Sequence, residues 1–93
     1  MDEELSGREQ ARLVWRAMRE ARLVVGDVWL HYFSIGGDAD ELEVEAYLNH
    51  AIGLPRLQRD MLAHAVNELI LDEGLNFWAP YSDELSDSEG DVG

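Results

Sequence analysis

The sequence predicts a small all-α domain of three to four helices, and three observations carry that prediction. Residues 54–74 place apolar side chains at helical spacing between two marked ends. Residues 11–35 hold an unbroken alternation of apolar positions three and four apart. The one stretch with strand character, VWLHYFSI at 28–35, has no partner strand elsewhere in the chain. Ninety-three residues allow a single core. One domain over 1–81 is expected, followed by an acidic, serine-rich tail at 82–93 too polar to order itself.

The first helix is expected after a frayed start, with Ser6 and Glu9 as a capping box. From there Ala11, Val14, Met18, Ala21, Val25, Val28, Tyr32 and Ile35 form a heptad-like seam. Because the seam crosses Gly26-Asp27 in register, one long amphipathic helix over 7–35, kinked at Gly26, is favoured. The competing arrangement ends a first helix at Gly26 and caps a second with Asp27. Gly36-Gly37 then stops the helix, and Asp38 with Glu41 restarts one over 39–51, its apolar face Val44, Tyr47, Leu48 and Ala51. A turn through Ile52-Gly53-Leu54 leads to the central helix, opened by Pro55 in its first turn and closed by Gly74. Met61, Leu62, Ala65, Val66, Leu69 and Ile70 make its broad apolar arc. The N-terminal helix is expected to lie across the pair 39–51 and 55–73. Leu75–Tyr81 should fold back and lay Phe77 and Trp78 on that core.

Charge narrows the function classes. Twenty acids oppose seven bases, a formal net charge of −13, and every base is arginine. All-arginine usage points to GC-rich coding and a bacterial source. A surface so negative is repelled by phosphate backbones and anionic lipid, so neither nucleic acid nor membrane is expected as a partner. No apolar run approaches the roughly 20 residues that span a bilayer, and MDEELSG is the opposite of a secretory leader. A cytoplasmic location is expected. Without cysteine there is neither disulfide nor thiolate metal site.

Four constellations are candidates for function. Arg8, Arg12, Arg16, Arg19 and Arg22 share one side of the first helix with Trp15, a possible docking strip for an acidic partner. The alternative is a solubilising face paired with Glu9, Glu20 and the acidic second half. A polar ladder of Arg56, Asp60, His64 and Glu68, with Asn67 alongside, runs down the central helix. Asp–His–Glu on one face has the components for acid–base work. The chain supplies no nucleophile, oxyanion hole or phosphate loop to complete it, so a solvated ladder or a polar contact to the N-terminal helix is expected. His31, His50 and His64 lack metal-site spacing, and no catalytic residue, metal or cofactor is expected. The pair 39–51 and 55–73 superficially suits a helix-turn-helix, but Arg56 and Arg59 make a poor basic footprint. Among the aromatic residues, one exposed tryptophan beside the arginines would suit an interface.

The expected function is a small non-enzymatic interaction or regulatory module acting through a helical surface, able to form a homodimer through residues 11–35. The main rival is an acidic decoy that mimics nucleic acid on a basic partner, although five clustered arginines count against it. A small metal-binding or hydrolytic protein is third.

Overall fold

The computed structural model describes residues 2–75, 77 and 79–82, the side chains from residue 7 onward. Four helices follow in order: α1 (Asp2–Ala21), α2 (Val25–Ser34), α3 (Glu41–Leu48) and α4 (Arg56–Asp72). No strand occurs among the described residues. The acidic stretch 83–93 and Trp78 lie outside them.

The long helix expected over 7–35 is two helices, and the break is not at Gly26. It falls at residues 22–24, where Arg22 takes φ +60°. The Arg22 N–H bonds the Arg19 carbonyl at 3.1 Å and the Leu23 N–H reaches back to Met18 O at 2.8 Å. Gly26 sits inside the first turn of α2, with neither Gly26 nor Asp27 at the cap. The helix also begins before Ser6, so the expected Ser6–Glu9 box does not mark its start. Register survives the break because α1 and α2 face the same core. Ala11, Val14, Met18, Val28 and Tyr32 are all buried in it.

The ending at Arg22 recurs. In each helix the residue after the C-cap has positive φ, and the next N–H bonds a carbonyl five residues back. Those residues are Arg22, Gly36 (φ +104°), His50 (φ +66°) and Gly74 (φ +78°). The long-reach bonds are Leu23 to Met18, Gly37 to Tyr32, Ala51 to Ala46 and Leu75 to Ile70. Two of the four turns are thus made without glycine, at a steric cost of about 1 kcal/mol each.

The start of α3 departs from expectation by two residues. The D-x-x-E pattern occurs at both 38–41 and 40–43, and the capping box forms at Asp40 and Glu43. Residues 38–39 are held outside the helix by other bonds. The Asp38 N–H donates to Gln58 Oε1 at 3.0 Å, the Ala39 N–H to the Tyr32 hydroxyl at 3.0 Å, and Trp29 Nε1 to the Ala39 carbonyl at 2.9 Å. Pro55 is the N-cap of α4 rather than its first residue.

Packing joins α1 and α2 each to both α3 and α4, while the backbones of α3 and α4 stay apart, as do those of α1 and α2. The N-terminal helix thus crosses the later two as expected, but those two form no hairpin. Leu62, Ala65, Val66 and Ile70 fill the centre with Val44, Tyr47 and Leu48. At about 25 cal/mol per Å² of apolar surface, such burial is the main driving force for the fold. Phe77 is half-buried against this core, as expected for the returning segment.

Candidate interaction surface

The polar ladder of α4 is built into the fold. Asp60 Oδ1 accepts from Gln10 Nε2 at 3.0 Å and from the Ser82 N–H at 2.7 Å, and Oδ2 accepts from the Ser82 hydroxyl at 2.8 Å. Asn67 grips Ala79 twice, Oδ1 accepting its N–H at 2.6 Å and Nδ2 donating to its carbonyl at 3.0 Å. His64 Nδ1 meets the Tyr81 hydroxyl at 3.0 Å, and Nε2 lies 3.1 Å from Glu68 Oε2. With the ring proton on Nε2, Nδ1 accepts from the tyrosine. The other Glu68 oxygen takes His31 Nε2 of α2 at 2.6 Å. Partners 79, 81 and 82 meet α4 at 67, 64 and 60, so the C-terminal strap runs antiparallel to the helix. Seven helical and three extended residues both cover about 10 Å, which is why the spacings match.

Electrostatics follow the bonding. Burial pushes the Asp60 carboxyl upward, but the Ser82 N–H, the Gln10 amide, the Ser82 hydroxyl and the Arg59 charge outweigh it and hold the group below its ordinary value. Glu68 is lowered chiefly by its hydrogen bond from His31. Burial, more than the opposing charge of Arg59, pushes the Tyr47 phenol well up. The ladder is therefore not simply solvated: its side chains tie α4 to α1, to α2 and to the C-terminal strap. Asp60 makes the contact to the N-terminal helix that the sequence allows for. His64 is half exposed and shares Glu68 with His31, while His50 lies exposed just past the C-cap of α3. Among the described residues no three histidine, aspartate or glutamate side chains form a group able to hold a metal.

Two residues anchor this arrangement: Gln10, absent from the sequence-based candidates, and Arg59, considered there only as a base for nucleic acid. Arg59 is 8 % exposed and donates Nε to Gln10 Oε1 at 3.0 Å and Nη1 to the Leu54 carbonyl at 3.0 Å. Gln10, fully buried on α1, joins Arg59, Asp60 and the Pro80 carbonyl at 3.1 Å. A signal for Arg59 was present: at 100° per residue it falls between Val66 and Ile70, inside the apolar arc. Gln10 carries a comparable mark, since on the α1 wheel it falls between Ala17 and Ala21, four residues before the seam residue Val14.

The arginines of α1 point outward. Arg8, Arg12, Arg16 and Arg19 are exposed, and Arg22, also exposed, lies past the end of the helix. Arg12 pairs with Glu9, and Arg16 Nε is 3.4 Å from Glu20. Trp15 is half-buried against the core rather than displayed beside them. Arg56 opens α4 on the surface.

The exposed apolar side chains of interest lie on α2. Leu30 is 60 % and Phe33 56 % exposed, one helical turn apart. Phe33 stacks on Trp29 with centroids 5.3 Å apart, and the Trp29 indole is pinned to Ala39. Gly26 continues the same stripe, beside the Glu41 carboxylate of α3. Of the seam, Ala11, Val14, Met18, Val28 and Tyr32 are buried within the monomer, and Ala21, Val25 and Ile35 are partly buried.

No protein-family model, curated protein or solved structure matches the chain. Among the described residues no helix is long and apolar enough to cross a membrane.

Proposed function

We propose that the protein is a non-enzymatic interaction or regulatory module that acts through a helical surface. The stripe Trp29–Leu30–Phe33 carries this reading: two large apolar side chains stand in water on a rigid helix, with an aromatic neighbour hydrogen-bonded in place. Aromatic and aliphatic anchors of this kind supply most of the energy of protein interfaces. The polar groups with catalytic potential support it from the other side, because Asp60, His64, Asn67 and Glu68 are all engaged by the protein's own chain.

The test compares capture by immobilised wild type and by the double variant Leu30→Ser/Phe33→Ser from an extract of the source cells. A protein retained in stoichiometric amount by wild type and lost with the double variant is the expected result. Identical capture by both would remove the stripe from consideration. Release by short duplex DNA, with the double variant still competent, would favour the phosphate-mimicking decoy instead.

A further inference from the structure

We infer that the α2–α3 face receives a basic amphipathic helix of a partner protein. The inference rests on the interaction-module reading and adds the chemistry of the occupant. Charge complementarity selects it. Residues 23–55 hold six acids and neither lysine nor arginine. Asp27, Asp38, Asp40 and Glu41 are all exposed, and their places in the chain set them around the stripe. Asp38 and Asp40 flank Ala39, whose carbonyl holds the Trp29 indole. Glu41 lies against Gly26 at the start of the stripe, and Asp27 is one turn before Leu30. An apolar strip of about 10 Å, two helical turns, is thus rimmed by negative charge. Its complement is a helix presenting two or three apolar side chains at i, i+3 and i+4 with lysine or arginine beside them.

Other occupants fit less well. A second copy pairing the same face would set these acids against themselves, as a two-fold contact requires. The α1 face of a second copy offers arginines, but the apolar side chains beside them, Leu13 and Trp15, are half-buried in their own monomer and leave little to set against Leu30 and Phe33. Nucleic acid and anionic lipid share the sign of the rim.

The experiment titrates the full chain with an 18-residue peptide of leucine and lysine at amphipathic helical spacing, by calorimetry at low and moderate salt. Two controls accompany it: a scramble of identical composition and a leucine–glutamate counterpart. The amphipathic basic peptide should bind at least ~10-fold tighter than the scramble, and the acidic one should not bind. Leu30→Ser/Phe33→Ser should weaken binding by about 10-fold or more. Asp27→Asn/Asp38→Asn/Glu41→Gln should weaken it comparably and flatten its salt dependence; Asp40 is left intact because it caps α3. Leu71→Ser, which removes a leucine 75 % exposed on α4, should change nothing. Circular dichroism verifies that each variant keeps its helices. Equal binding of the scramble, or equal effects of the Leu71 and stripe variants, would overturn the inference. If the stripe variant loses its natural partner while no basic peptide binds, the occupant is wrong and the module reading stands. If neither measurement responds to the stripe, both fall.

Discussion

Replacing Gly37 with alanine should be among the most damaging single-methyl additions this fold can receive. A Cβ at Gly37 would lie 2.2 Å from Tyr32 Cζ and 2.4 Å from both Cε atoms, against 3.4 Å or more in ordinary contact. The ring cannot swing aside, because Tyr32 is fully buried and its hydroxyl is held at both ends. It accepts the Ala39 N–H at 3.0 Å and donates to Gln58. Relief of the clash costs overpacking strain of about 1–3 kcal/mol and, as the ring shifts, two hydrogen bonds at about 1 kcal/mol each, together about 3–5 kcal/mol. A domain of this size has a total stability on the order of 5–14 kcal/mol. Gly53 is the internal control: nothing lies within 4 Å of its Cβ position and its φ is not positive, so Gly53→Ala should be neutral or stabilise by about 0.5 kcal/mol. Urea unfolding followed by far-ultraviolet circular dichroism measures both. Tyr32→Phe adds a further check, since the alanine should cost about 1–2 kcal/mol less in a background with no hydroxyl bonds to break. A Gly37→Ala protein within about 1 kcal/mol of wild type, at unchanged m-value, would refute this account of the turn.

Gln10→Ala should cost about 1–3 kcal/mol in the same assay, because it strips a partner from buried Arg59 and from Asp60; a loss below about 0.5 kcal/mol would mean that water replaces the amide. Asp60 titrates below its ordinary value of 3.8 in the folded protein. Its contribution is therefore complete above the unfolded pKa and is lost as pH falls through the lowered folded value. The stability gap between wild type and Asp60→Asn should shrink over that acid window, and a gap constant with pH would contradict the assignment. Arg22→Gly and His50→Gly should each stabilise by about 0.5–1 kcal/mol, since both positions have left-handed backbone and exposed side chains. Thermal melts that move downward for both would show that the side chains matter more than the backbone.

Most of the helical framework was legible in the sequence, because it depends on periodicity. The apolar arc of α4, the seam of α1 and α2, the stop at 36–37 and the cap at Gly74 all follow from spacing and glycine placement. The break at 22–24 did not, because an arginine supplies a backbone conformation normally signalled by glycine, and because a shared core keeps the seam in register across it. The choice of Asp40 over Asp38 depends on Trp29, Tyr32 and Gln58, contacts that no local pattern encodes. The ladder residues were identified as a group, but their partners Gln10, Ala79, Tyr81 and Ser82 lie on segments that only tertiary structure brings together. Ser82, placed by composition at the edge of the tail, is buried and bonded to Asp60. Arg59 was hidden by its residue type, although its position on the wheel was apolar.

The pattern of helix contacts bears on how the chain acquires its structure during synthesis. Of the three pairs of helices consecutive in sequence, only α2 and α3 bring their backbones close together. Neither the first two helices nor the last two can form a self-sufficient hairpin, so there is no early half-domain to act as a template. Until α4 emerges, Val14, Met18, Val28 and Tyr32 have lost their main apolar cover, and a fragment 1–54 should show little cooperative melting. The nascent chain should therefore hold its first 54 residues in an open, association-prone state and close them in one late step.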